Sequence, residues 1–225
     1  CHDEVVNLNT GFWNELWISI DDLALGTWMA LSVSILAILI GTILGALIGL
    51  ALTYGNSVLR LIARIYVDVV RGIPVLVLIL AFFYVLTVWG INLQPFQAGV
   101  LSLGVFSAAH VAEMTRGGLQ NLHKGQTEAS LALGLSFPKT FTYVLLPQAL
   151  RQILPTWINT FIETVKGSTL VSIIGVVEIT LVTQQIIARN FLTMKFYAVC
   201  ALIYFCIGFS IERLGKYLEK KFAIK

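Results

Sequence analysis

Long apolar stretches alternate with short clusters of charge along this chain. Residues 23 to 59 contain no Asp, Glu, Lys or Arg, and neither do residues 72 to 112. About 20 such residues suffice for a helix to cross a bilayer, so the first run holds one spanning helix and the second holds two. Neither run alternates polar and apolar positions, which favours helices over a membrane barrel. The pattern predicts an all-α integral membrane domain with five spanning helices, at roughly 25 to 52, 73 to 90, 96 to 117, 153 to 176 and 196 to 214. Residues 1–24 precede the membrane domain as an outer interfacial segment, residues 25–214 form it, and residues 215–225 are a tail.

Composition agrees. The chain is 57% hydrophobic and 12% charged over 225 residues, against a charged share of about a quarter in soluble domains. Charge also sets an orientation, because cytoplasmic loops collect Lys and Arg. Asp3, Glu4, Glu15, Asp21 and Asp22 all precede the first basic residue, Arg60. Arg60, Arg64 and Arg71 fall between the first two predicted spans, Arg116, Lys124, Lys139 and Arg151 around the next inner loop, and Arg213, Lys216, Lys220, Lys221 and Lys225 at the end. Twelve of the fifteen basic residues thus share one side, which predicts the N-terminus outside and the C-terminus in the cytoplasm. The net charge of +3 follows from this sidedness and is no sign of a nucleic-acid partner. Cys200 and Cys206 lie in the last apolar run, so no disulfide or zinc framework follows. Cys1 in place of Met suggests a processed start, a lipid-modified cysteine being one form of it.

Finer features lie on this frame. Phe12, Trp13, Leu16, Trp17 and Ile20 recur at helical spacing and predict an anchor helix in the outer interface. Gly41, Gly45 and Gly49 form a small-residue ladder that lets another helix approach closely. Asn92 and Pro95 mark an outer turn, and Pro74 opens the second span. Between Lys124 and Pro155 the chain is polar yet patterned. Thr127 is placed to cap a short helix and Glu128 to sit in its first turn. Gly134 suits the left-handed residue that ends it, and Pro138 follows Ser136 to open a second short helix. The spacing predicts a rigid projection.

These residues resemble a known family. Glu128, Ala129, Gly134, Leu146 and Pro147 fit the EAA loop of bacterial ABC importer permeases, with Ser130 in place of the second Ala and Val144 in place of Ile. RGIPVLV from Arg71, TRGGLQNLHKGQ from Thr115, LPQALRQILP from Leu146 and GSTLVSIIGVVEI from Gly167 look like the polar amino-acid branch. The resemblance implies the type I ABC importer permease fold in the bacterial inner membrane. It further implies two cytosolic ABC ATPase subunits, a second permease subunit, identical or homologous, and an external binding protein that delivers a polar amino acid. Docking would fall to Glu128, Ala129, Ser130, Leu131, Gly134 and Pro147, in a loop of about 124–152. ATP and Mg would belong to the ATPase, since this chain has no GxxxxGK[ST] phosphate loop. Where many relatives read K-D-T-S-L, Lys166 is followed by Gly167, which argues against a strongly cationic substrate.

Ionisable groups within spans are functional candidates by default. His110 and Glu113 lie three apart on the third predicted span, while Asn159, Glu163 and Lys166 share a face of the fourth. A zwitterionic amino acid needs an ammonium acceptor, which Glu113 or Glu163 would supply, and carboxylate donors, for which Lys166, Ser168 and Thr169 are suited. The competing reading is that Glu163 neutralises Lys166, that Glu113 pairs with Arg116, and that His110 bonds a neighbouring helix. An ion-coupled secondary transporter is the alternative class; it would show inverted repeats or an ion relay. An intramembrane enzyme would show HExxH or GxSxG, and neither occurs.

Overall fold

A computed structural model describes the backbone of residues 8–222 and the side-chain environments of residues 11–221. The expectations placed on Cys1, Asp3, Glu4 and Lys225 lie outside these described residues. Helix α1, Leu8–Ile18, leads through Ser19 into α2, Ile20–Tyr54. Helix α3, Ser57–Gly72, turns by 107° into α4, Val75–Val88. Helix α5 is Pro95–Gln120 and α6 is Lys124–Ala132. Helix α7, Phe137–Ile174, bends by 52° into α8, Ile179–Asn190, and α9, Thr193–Phe222, ends the fold. Among the described residues, α2, α5 and α9 are each long and apolar enough to cross a membrane, and the two bent pairs raise the number to five if each pair is one span.

The centre of the bundle is the α2–α5 pair, and its glycine ladder explains why. A Cβ on Gly41, Gly45 or Gly49 would come within 2.6 Å of Ser107 Cβ, the Ala108 carbonyl oxygen and Thr115 Cβ respectively. Only hydrogen fits, so the two backbones approach closely and dispersion holds them. Val33, Ala37, Ile79, Leu103 and Val171 complete a buried core shared by α2, α4, α5 and α7. Ser107 and Thr164 are joined through their hydroxyls at 3.0 Å, which fixes α7 against α5.

Several elements differ from the sequence expectation. Residues 57–72, read as part of an inner loop, form the amphipathic helix α3, capped by Asn56, whose side chain accepts from Leu59 N at 2.8 Å. Its charges keep it outside a hydropathy pattern, whereas Ala63, Val67 and Val70 bury one face of it. Residues 179–190, between the last two predicted spans, form α8. The anchor segment is only half an interface helix. Trp13 and Trp17 are exposed, but Phe12 and Leu16 pack against Leu23, Val182 and Phe196, and Arg189 donates to Ser19 Oγ at 2.9 Å and lies 3.6 Å from the Glu15 carboxylate.

Candidate functional site

Two regions collect the candidate residues. The first is the projection at the end of the bundle that carries Lys124 and Lys139. His123, not Thr127, caps α6, its Nδ1 accepting from Gly125 N at 3.1 Å. Glu128 therefore lies mid-helix rather than in the first turn. Gly134 takes φ +80°, and Leu135 N donates to Ser130 O while Gly134 N donates to Leu131 O, the bond pair of a left-handed helix end. Ser136 and Pro138 open the next helix, which is not short: it continues through a wide turn at Phe141–Leu145 and into Leu146–Gly167. Pro147, which has no N–H to give the ladder, comes two residues after that wide turn, where the regular bond pattern is already interrupted.

Glu128, Ala129, Leu131 and Gly134 are exposed, with Leu133 more so at 83%. Ser130 is not part of that surface. It is buried and its hydroxyl donates to Gln126 O at 2.7 Å, so it holds the helix rather than presenting it. Tyr54, at the end of α2, packs edge-on against Phe137 and Phe141, tying the projection to the bundle.

The second region is the outward face of α7. Asn159, Glu163 and Lys166 are all exposed there, and none forms a hydrogen bond or ion pair among the described residues. Gln152 and Thr156, which the sequence reading passed over, extend the stripe at the same four-then-three spacing. Glu163 and Lys166 do not neutralise each other. Thr169 is half-buried above them, whereas Ser168 is fully buried and donates to Val165 O at 2.8 Å, which removes it from that face.

On α5, Glu113 is engaged. Arg116 pairs with it one turn away, and Arg64 reaches it from α3 at 3.2 Å. A carboxylate held by two guanidiniums is poorly placed to receive a substrate ammonium. His110 lies against Phe106, with ring centroids 4.5 Å apart and planes tilted by 52°, and makes no hydrogen bond among the described residues. A polar site that sequence reasoning did not single out is Glu178, fully buried at the start of α8. It accepts from Thr180 N at 2.9 Å and Leu181 N at 3.0 Å and from the Tyr204 hydroxyl at 2.5 Å. It is the only charge in residues 167 to 188, the same signal that drew notice to Glu113 and Glu163.

Apolar helices of spanning length, a projection and an exposed polar stripe are features of a membrane permease subunit. The chain belongs to the family of binding-protein-dependent transport system inner membrane components, whose model matches residues 37–224. It is 36% identical over 214 residues to the glutamine transport system permease protein GlnP of Escherichia coli K12, covering 94% of this chain and 98% of that one. The fold matches a solved amino acid ABC transporter with histidines at TM-score 0.84 and 34% identity, over 96% of this chain and 99% of that one. An inward-facing MetNI methionine ABC transporter matches at TM-score 0.80 and 20% identity, over 92% and 98%, a likeness of fold alone. Family membership makes this chain an inner-membrane permease component of an ABC importer and sets aside the ion-coupled and enzymatic readings.

Proposed function

We propose that this chain moves a polar, net-neutral amino acid of the glutamine class inward, between itself and a second permease subunit. The N-terminus faces outward and the C-terminus the cytoplasm. The single observation that carries the reading is the stripe of Asn159, Glu163 and Lys166, exposed on a spanning helix and in no hydrogen bond or ion pair among the described residues. A charge at mid-membrane costs at least about 2.5 kcal/mol against lipid, so such a face is covered by a partner or wetted by a path. Glu163 offers the ammonium acceptor, and Lys166 with Thr169 the carboxylate donors. Glu113 and its two arginines close the inner end of the path.

On the cytoplasmic side, Glu128, Ala129, Leu131 and Leu133 form the surface that an ATPase grips. Ser130 and Gly134 fix its shape, and Pro147 stands where the projection enters the span. The similarity to GlnP supports the amino-acid class. Two ATPase subunits bind ATP and Mg, and an external binding protein supplies the substrate. Closure of the ATPases would drive the projection as a rigid body.

The test is uptake of radiolabelled glutamine, glutamate, histidine and arginine by the complex reconstituted with its ATPase and binding protein. Lys166→Ala is expected to cut glutamine uptake about tenfold or more, for loss of a charge-assisted contact, with the complex still assembled. Unchanged uptake kinetics in that variant would remove the substrate face from α7.

A further inference from the structure

At the end of the bundle that carries the projection, α2, α5 and α7 do not close on one another. They leave a cleft of about 760 Å³, walled by residues that include Ala46, Leu50, Leu119, Phe141, Leu154 and Trp157. Its walls are methyl and aromatic surface. The polar groups at the deep end are already engaged, Trp157 Nε1 donating to Thr42 Oγ1 at 2.8 Å and Thr42 Oγ1 donating to Ile38 O at 2.6 Å. Apart from these, only Thr115 and Arg151 bring polar side chains to the lining, so hydrocarbon suits most of it. The α7 wall from Leu146 to Trp157 is about 16 Å long at 1.5 Å per residue, enough for most of a membrane acyl chain.

Arg151 stands in the cleft wall, exposed, with no hydrogen bond or ion pair among the described residues. Tyr54, which packs on the lining residue Phe141, is itself 46% exposed, as rings are at headgroup level. A free guanidinium in the wall of an apolar slot suits a phosphate on two hydrocarbon chains. We propose that the cleft binds an anionic glycerophospholipid, with one acyl chain between α2, α5 and α7 and its phosphate on Arg151. Basic pockets between spanning helices at the cytoplasmic face take such headgroups. Because Phe141 and Pro147 belong to the segment that joins projection to span, a bound lipid would stiffen that joint.

The experiment uses the assembled complex, exchanged into bicelles of phosphatidylcholine and phosphatidylglycerol, washed in detergent and examined by native mass spectrometry. Wild type is expected to keep one phosphatidylglycerol per permease copy. Arg151→Gln should keep about fivefold less, Arg151→Lys should recover most of it, and Ala46→Phe should displace the lipid by filling the slot. A photoreactive residue at Leu150 should capture lipid. Equal retention by wild type and Arg151→Gln would overturn the proposal, as would capture of a second permease copy or the ATPase at Leu150. If Ala46→Phe fails to assemble, the Arg151 pair and the cross-link still decide.

Discussion

Glu178 satisfies three donors from two helices, holding the first turn of α8 and the ring of Tyr204 on α9 together. Truncation would leave a buried helix start and a phenol without an acceptor. Glu178→Ala is expected to destabilise the permease by roughly 2 to 4 kcal/mol, seen as a lower melting temperature of the purified complex. Glu178→Gln keeps an acceptor and should lose clearly less; equal losses would deny the capping role. The signal for this residue stands in the sequence, an isolated charge in an apolar run, yet the sequence reading did not single it out. The engagement of Glu113 by Arg64 was not legible, because it needs α3 to fold back over α5 across 49 positions of sequence. The exposure of Asn159, Glu163 and Lys166 was half legible: their shared face follows from spacing, whereas its direction depends on which side of α7 meets α5.

Among the elements, α2 and α5 were read directly from uncharged runs, and a close helix contact, though not its partner, from three glycines four apart. Gly45→Val would force the Val side chain into Ala108 O and Val111. The expected cost is about 1 to 3 kcal/mol, measured as a fall in folded, detergent-stable protein, while Gly117→Ala, with open space around it, should be tolerated. Helices α3 and α8 escaped hydropathy reasoning for opposite reasons. In α3, Arg60, Arg64, Asp68 and Arg71 dilute an apolar face that packs only once the chain turns by 107°. In α8, the pattern merges with that of the preceding span, and the break comes from Gly175 at φ +90°, a conformation that sequence permits without requiring. The early start of α6 at Lys124 depended on a histidine cap, which is outside the usual set of capping residues.

At the scale of the molecule, the proposed orientation makes a sharp demand. In a background with native cysteines replaced by serine, Lys124→Cys should react with an impermeant thiol reagent only from the cytoplasmic side, and Trp89→Cys only from outside. The reverse pattern would invert the proposed direction of transport and detach the projection from any cytosolic motor. Helix α9 buries little of its apolar length within the chain, as a subunit completed by lipid or by another permease would leave it.

The 35 residues of α2 form one unbroken rod, about 52 Å long at 1.5 Å per residue, against a hydrocarbon layer of about 30 Å. Such a rod must lean or protrude, and because the glycine ladder fastens it to α5, the lean is shared by the centre of the bundle. Hydrophobic mismatch is therefore built in, and it is met by a tilt of that pair or by local thickening of the bilayer.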